Sequence, residues 1–111
     1  MSIMGDDTFR VAIDDTREYP YADVLIRCGN VAVGIMQNFK DSGTKVDILY
    51  LDHDLGDHSA NGKAILYNLL ENDLCPPKVS LITGNPVGKK NMEGILGDFG
   101  YVQSKGSWIK G

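Results

Sequence analysis

The feature that most constrains this chain is a short apolar run, Val46-Asp47-Ile48-Leu49-Tyr50-Leu51, that ends abruptly in Asp52-His53-Asp54-Leu55-Gly56. A buried strand that delivers charged side chains at its last residue is how α/β proteins present chemistry at the carboxyl edge of a parallel sheet. A second stretch repeats the pattern, Phe9-Arg10-Val11-Ala12-Ile13 running straight into Asp14-Asp15. If these two strands lie side by side, Asp14, Asp15, Asp52 and Asp54 meet at one edge.

The intervening sequence supports that arrangement. Met1 to Thr8 is polar and reads as a flexible lead-in, and Asp14 to Tyr21 as a loop. Asp23 to Arg27 reads as a second strand, closed by Gly29-Asn30. The apolar period then changes to helical, with Ala32, Ile35, Met36 and Phe39 on one face before Asp41-Ser42-Gly43. Val46 to Leu51 is the third strand. After the loop Asp52 to Asn61, Ile65, Leu66, Leu69 and Leu70 share a helix face, and Pro76-Pro77 forbids further helix. Lys78 to Thr83 is the fourth strand. Asn85-Pro86 has the form of an N-cap followed by proline at the first helical position, with Met92, Ile95, Leu96 and Phe99 as the stripe of that helix. Tyr101 to Gln103 is a fifth short strand, and Ser104 to Gly111 a tail too short for another full helix.

Alternating strands and helices predict a single α/β domain over 1–111, a flavodoxin-like parallel five-stranded sheet in the order 2-1-3-4-5 with helices on both faces. That order makes strands one and three neighbours at the switch point, where ligands bind in such sheets.

Bulk properties narrow the function. The 111 residues are 42% hydrophobic and carry a formal net charge of -4, which argues against non-specific nucleic-acid binding but leaves room for a small phosphorylated ligand held by local donors. No apolar run approaches a membrane span, and no signal-peptide pattern is present. Cys28 and Cys75 lack CxxC spacing and read as buried free thiols, which suits a cytoplasmic location.

An oxygen-only cluster such as Asp14, Asp15 and Asp52 suits Mg²⁺ or Mn²⁺, because packed carboxylates repel unless a cation lies between them. A single aspartate in such a place also serves as a solvated turn former. His53 is a candidate general acid or base, or a structural histidine pointing away from Asp52; His58 reads as an exposed loop residue. Thr83-Gly84-Asn85-Pro86-Val87-Gly88-Lys89-Lys90 joins the fourth strand to a helix N-terminus, either as a phosphate seat using Asn85, Gly88 and Lys89 or as a well-capped helix with surface lysines. Arg17 offers a bidentate phosphate contact or a surface charge, and Lys105 follows the fifth strand at the same edge.

Together, Asp14-Asp15, Asp52, Thr83 and Lys105 resemble the response-regulator receiver domain, in which the corresponding acids bind Mg²⁺, the strand-three aspartate accepts a phosphoryl group, and the threonine and lysine contact it. The chain departs from that pattern in lacking a final helix after Lys105 and in its Leu-Asp-His-Asp-Leu-Gly stretch. It more closely resembles a divergent branch, the cyclic-phosphate processing receiver-like domains found with RNA-repair and phage-encoded systems. The shared features are Asp14-Asp15-Thr16-Arg17, Leu51 to Gly56, Gly62 opening the next helix, and Asn85-Pro86 with Gly88, Asn91 and Met92. The resemblance implies handling of a cyclic phosphate on a nucleotide or RNA end, and a small lone domain suits a phage gene. Where this family usually has His-Ser at the end of strand four, this chain has Ile82-Thr83.

Three readings follow. The first is a divalent-metal-dependent phosphoesterase. In it Asp14, Asp15 and Asp52 hold the metal, Asp54 or His53 acts as base, and Thr83, Lys89 and the helix N-terminus neutralise charge. The second is a non-catalytic module binding a cyclic nucleotide or a protein. The third is a phospho-accepting receiver using Asp52. The oligomeric state is not legible in the sequence.

Overall fold

The structure is a computed structural model, and it describes residues 8–14, 18–52 and 62–111. Its elements are β1 (Thr8–Ile13), β2 (Val24–Ile26), α1 (Gly29–Asp41), β3 (Lys45–Leu51), α2 (Gly62–Glu71), β4 (Lys78–Leu81), α3 (Pro86–Asp98), β5 (Tyr101–Ser104) and β6 (Ser107–Lys110). Thr8, expected in the lead-in, is the first residue of β1.

The helices end where local chemistry stops them. At the end of α1 the Gly43 N–H bonds the Lys40 carbonyl and the Thr44 N–H bonds that of Phe39, with Gly43 at φ 79°. This paired closure requires a left-handed residue, which glycine adopts without a Cβ penalty. The same pair of bonds ends α2, from Asp73 to Leu70 and Leu74 to Leu69, with Asp73 held at φ 57°.

The sheet has the order β2-β1-β3-β4-β6-β5. β1 pairs in parallel with β2 and β3, and β3 in parallel with β4, so the expected 2-1-3-4 core of the sheet is present. The expected five-stranded all-parallel sheet is corrected at its far side. Residues 104–111, read as a tail, contain β6, which inserts antiparallel between β4 and β5. Lys105 and Gly106 have φ of 50° and 83°, a two-residue turn with both central residues left-handed, as tight hairpins require. The turn sends Trp108 and Ile109 back along β4, where they pair with Val79 and Lys78.

Among the described residues the helices lie on one face of the sheet, where helices on both faces were expected. The connections β2 to β3, β3 to β4 and β4 to β5 all step the same way across the sheet. Right-handed crossovers therefore put α1, α2 and α3 on one side, where α2 packs between the other two. The only opposite step, β1 to β2, is made without a described helix. One hydrophobic core results. Val11, Ile13, Leu49, Leu51, Val79 and Leu81, alternate residues of three strands, meet Met36 of α1, Ile65, Leu66 and Leu69 of α2, and Met92 and Leu96 of α3. Fully burying each such side chain contributes about 1.5–3 kcal/mol. The sheet's other face carries Ala12, Ile48 and Tyr50, with the rings of Tyr19 and Tyr21 from the β1–β2 connection packed against Tyr50, one tilted and one edge-on.

Neither Cys28 nor Cys75 is in a disulfide, as expected, but only Cys75 is partly buried; Cys28, at the N-cap of α1, is exposed. The expectation of two buried thiols fails at Cys28 because β2 ends at Ile26, which puts Cys28 outside the sheet. No described helix is long and apolar enough to cross a membrane.

Candidate functional site

Hydrogen bonding of the sheet continues one residue past its strands and builds the site. The Asp14 N–H donates to the Ile26 carbonyl, the Asp52 N–H to Ile13, and the Ile82 N–H to Leu51, each at 3.1 Å. With Ile13 opposite both Ile26 and Leu51, and Leu51 opposite Leu81, the next row across the sheet reads Arg27, Asp14, Asp52, Ile82. Neighbouring strands lie about 4.8 Å apart and side chains of one row share a face. The sequence expectation that strand-end acids converge is therefore met by Asp14 and Asp52, on adjacent strands at the carboxyl edge.

Both carboxylates are buried, Asp14 fully and Asp52 to 9% exposure. The Tyr19 hydroxyl donates to Asp14 Oδ2 at 2.8 Å, and Arg27 Nη1 donates to the Asp14 backbone carbonyl at 3.4 Å. The other arm of Arg27 reaches Glu18 Oε2 at 2.6 Å. The sequence reading placed Tyr19 in a polar loop and Arg27 at a strand end, and gave neither a role. The signals were present: the parallel register sets the residue after Ile26 beside Asp14, and Glu18-Tyr19-Pro20-Tyr21 puts aromatic rings directly after strand-end acids.

Asp15, Arg17, His53 and Asp54, as well as His58, lie outside the described residues. Among the described residues no group of three or more acids, histidines and cysteines could hold a metal ion. The two buried carboxylates do match what Mg²⁺ takes from proteins, one or two carboxylates with water and phosphate completing the shell.

At the end of β4, Thr83 lies one residue beyond Ile82, and its Oγ1 accepts the Asn85 N–H at 3.0 Å. Asn85 Oδ1 accepts the Gly88 N–H at 3.0 Å and caps α3, as the sequence predicted. The cap corrects one detail of the expected phosphate seat, because the Asn85 and Gly88 N–H groups are spent inside the turn. What the loop still presents to an anion is the positive end of α3 and the exposed Lys89.

Lys105 is also corrected. It is exposed, in the β5–β6 turn, and the inserted β6 leaves β5 three strand spacings from β3, about 14 Å. Lys105 is therefore not brought to Asp52. A cavity of about 380 Å³ lies at the opposite, amino edge of the sheet, among Thr8, Lys45, Cys75 and Pro77, and takes no part in this cluster.

No curated protein matches the chain. A solved structure of a fusion carrying the yeast Spc42 trimeric coiled-coil segment, amino acids 181–211, is similar to it with a TM-score of 0.56 and 17% identity. That likeness covers 80% of this chain and 64% of that one, and at this identity it concerns the fold alone. The family model of the cyclic-phosphate processing receiver domain matches residues 9–98, a span that starts in β1, ends with α3 and includes both buried carboxylates. The chain therefore belongs to the cyclic-phosphate processing receiver domain family.

Proposed function

We propose that this domain is a divalent-metal-dependent phosphoesterase that opens a cyclic phosphate on a nucleotide or RNA end. The observation that carries the reading is the pair of buried carboxylates, Asp14 and Asp52, side by side at the carboxyl edge, the edge from which β4 leads into the capped N-terminus of α3. Burying two acids on adjacent strands costs free energy that a cation between them offsets. Mg²⁺ or Mn²⁺ held by Asp14 and Asp52, with Asp15, would polarise the phosphoryl oxygen and acidify an attacking water.

The rest is the work of the chain's own side chains. Water adds to phosphorus, one ring P–O bond breaks, and the product is a phosphate monoester with a free hydroxyl. Asp54 or His53 takes the proton from the water and passes it to the ring oxygen that departs. Thr83, Lys89 and the positive end of α3 neutralise the charge that develops on the phosphoryl oxygens. Arg17 adds a planar donor pair for the same oxygens.

A second reading, a module that binds a cyclic phosphate and leaves it intact, draws on Ile82. It stands in the row beside Asp52 with no proton to give to the departing oxygen. The third, a phospho-accepting receiver, is weakened by the distance of Lys105 from Asp52. Incubating the protein and Asp52→Ala with Mn²⁺ and 2′,3′-cyclic mononucleotides, 3′,5′-cyclic nucleotides, cyclic dinucleotides and an RNA ending in a cyclic phosphate separates the three. Opening of one compound by the wild type alone supports the phosphoesterase. Retention of an intact compound supports the binding module, and a phosphoryl mass gain from a small phosphodonor, lost in Asp52→Asn, supports the receiver.

A further inference from the structure

We infer that Tyr21, backed by Tyr50 and Tyr19, is the stacking surface for a nucleobase, so that the cyclic phosphate handled at Asp14 and Asp52 is carried by a nucleoside. The inference rests on the proposed cyclic-phosphate reading and specifies its substrate.

Tyr50 precedes Asp52 by two residues, and the register aligns it with Ala12 just as Asp52 follows Ile13. Side chains repeat their face every second residue, so Tyr50 projects from the same face as the carboxylates, about 6.6 Å below them along the strand. A ribose spans that separation between its phosphate and its base. The three rings form one cluster. Centroids lie 5.0 Å apart for Tyr21 and Tyr50, 5.7 Å for Tyr19 and Tyr21, and 6.0 Å for Tyr19 and Tyr50.

The rings differ in exposure. Tyr19 is 6% exposed and anchored by its hydroxyl to Asp14, whereas Tyr21 is 45% exposed. Tyr21 thus offers a ring to solvent while two partly or wholly buried neighbours hold it at a steep angle, 76° to Tyr50 and 75° to Tyr19. The face is not covered by any of the three described helices, all of which lie on the other side of the sheet. A ring fixed beside an anion-handling edge is what base stacking requires, and such stacking tolerates any base because each has a π-face.

The test compares a 2′,3′-cyclic mononucleotide with ribose 2,3-cyclic phosphate, which lacks the base, using the full chain with Mn²⁺. The wild type is expected to favour the nucleotide about 10-fold or more in kcat/KM, carried by KM. Tyr21→Leu should lose that preference with kcat kept within about two-fold, and Tyr21→Phe should retain it. Isothermal titration of the same two compounds reads the same preference as a ratio of dissociation constants if neither is turned over. Equal handling of the two compounds by the wild type, or an undiminished preference in Tyr21→Leu, overturns the stacking surface and leaves the phosphoesterase reading standing. Neither turnover nor binding of either compound overturns both.

Discussion

Removing one oxygen, by Tyr19→Phe, isolates how the fold and the site depend on each other. The Tyr19 hydroxyl donates to Asp14 Oδ2 at 2.8 Å, and Asp14 is 0% exposed, so no solvent replaces the lost donor without rearrangement. The phenyl ring keeps its place, with centroids 6.0 Å from Tyr50 and 5.7 Å from Tyr21, so the change leaves packing intact. Hydrogen bonds to charged groups contribute about 1.5–3 kcal/mol, and a buried acceptor that loses one of its donors is less well compensated for its desolvation. The expected loss is therefore about 1.5–3 kcal/mol, or about 6–12 °C in Tm for a domain of this size. Urea denaturation followed by far-UV circular dichroism measures it, with Tyr21→Phe as the comparison that should stay within about 0.5 kcal/mol. Combining Tyr19→Phe with Asp14→Asn in a double-mutant cycle gives the coupling itself. A Tyr19→Phe protein as stable as wild type, with no coupling to Asp14, would refute the assignment of this bond as a support of the buried carboxylate.

Other consequences can be checked independently. Lys105→Asn should raise Tm by a few degrees, because asparagine tolerates the left-handed conformation that Lys105 adopts at φ 50°, and it should leave cyclic-phosphate turnover unchanged; lost turnover would return Lys105 to the site. A thiol reagent at pH 8 should modify the exposed Cys28 quickly and Cys75 slowly. Burial pushes the Cys75 thiol up to about 11 from 9.0, so its contribution is fully present below pH 9 and is lost as pH rises toward 11. That loss is about 2–3 kcal/mol, and burial of Tyr101 acts in the same direction; urea midpoints at pH 8 and 10.5 should show it, less steeply in Cys75→Ala. At the acid end, the Arg10 backbone N–H holds the Asp23 carboxyl below its ordinary 3.8. Its contribution is present above that value and lost as pH falls through the lowered one, so Asp23→Asn should flatten the acid limb of the stability curve.

The sequence by itself determined the parts of this protein that depend on local periodicity and on chain direction. Alternation and apolar runs located β1, β3 and β4, the 3.6-residue period located α1, α2 and α3, and the placing of Asp14 and Asp52 directly after apolar strands foretold that a parallel sheet would bring them to one edge. Asn85 was legible as a cap because capping is a contact within one turn. What only the tertiary structure decided depends on partners distant in the chain. β6 is a strand because β4 offers it an edge; the Lys105-Gly106 turn alone is a weak hairpin signal, and its insertion is what removes Lys105 from Asp52. The placing of the three described helices on one side follows from the direction in which each crossover steps, a property of strand order that no local pattern encodes. Tyr19 was one polar-loop residue among several until the pairing of β1 with β2 and β3 buried Asp14, the carboxylate to which its hydroxyl donates. Burial sets the worth of that contact, and only the folded chain defines burial.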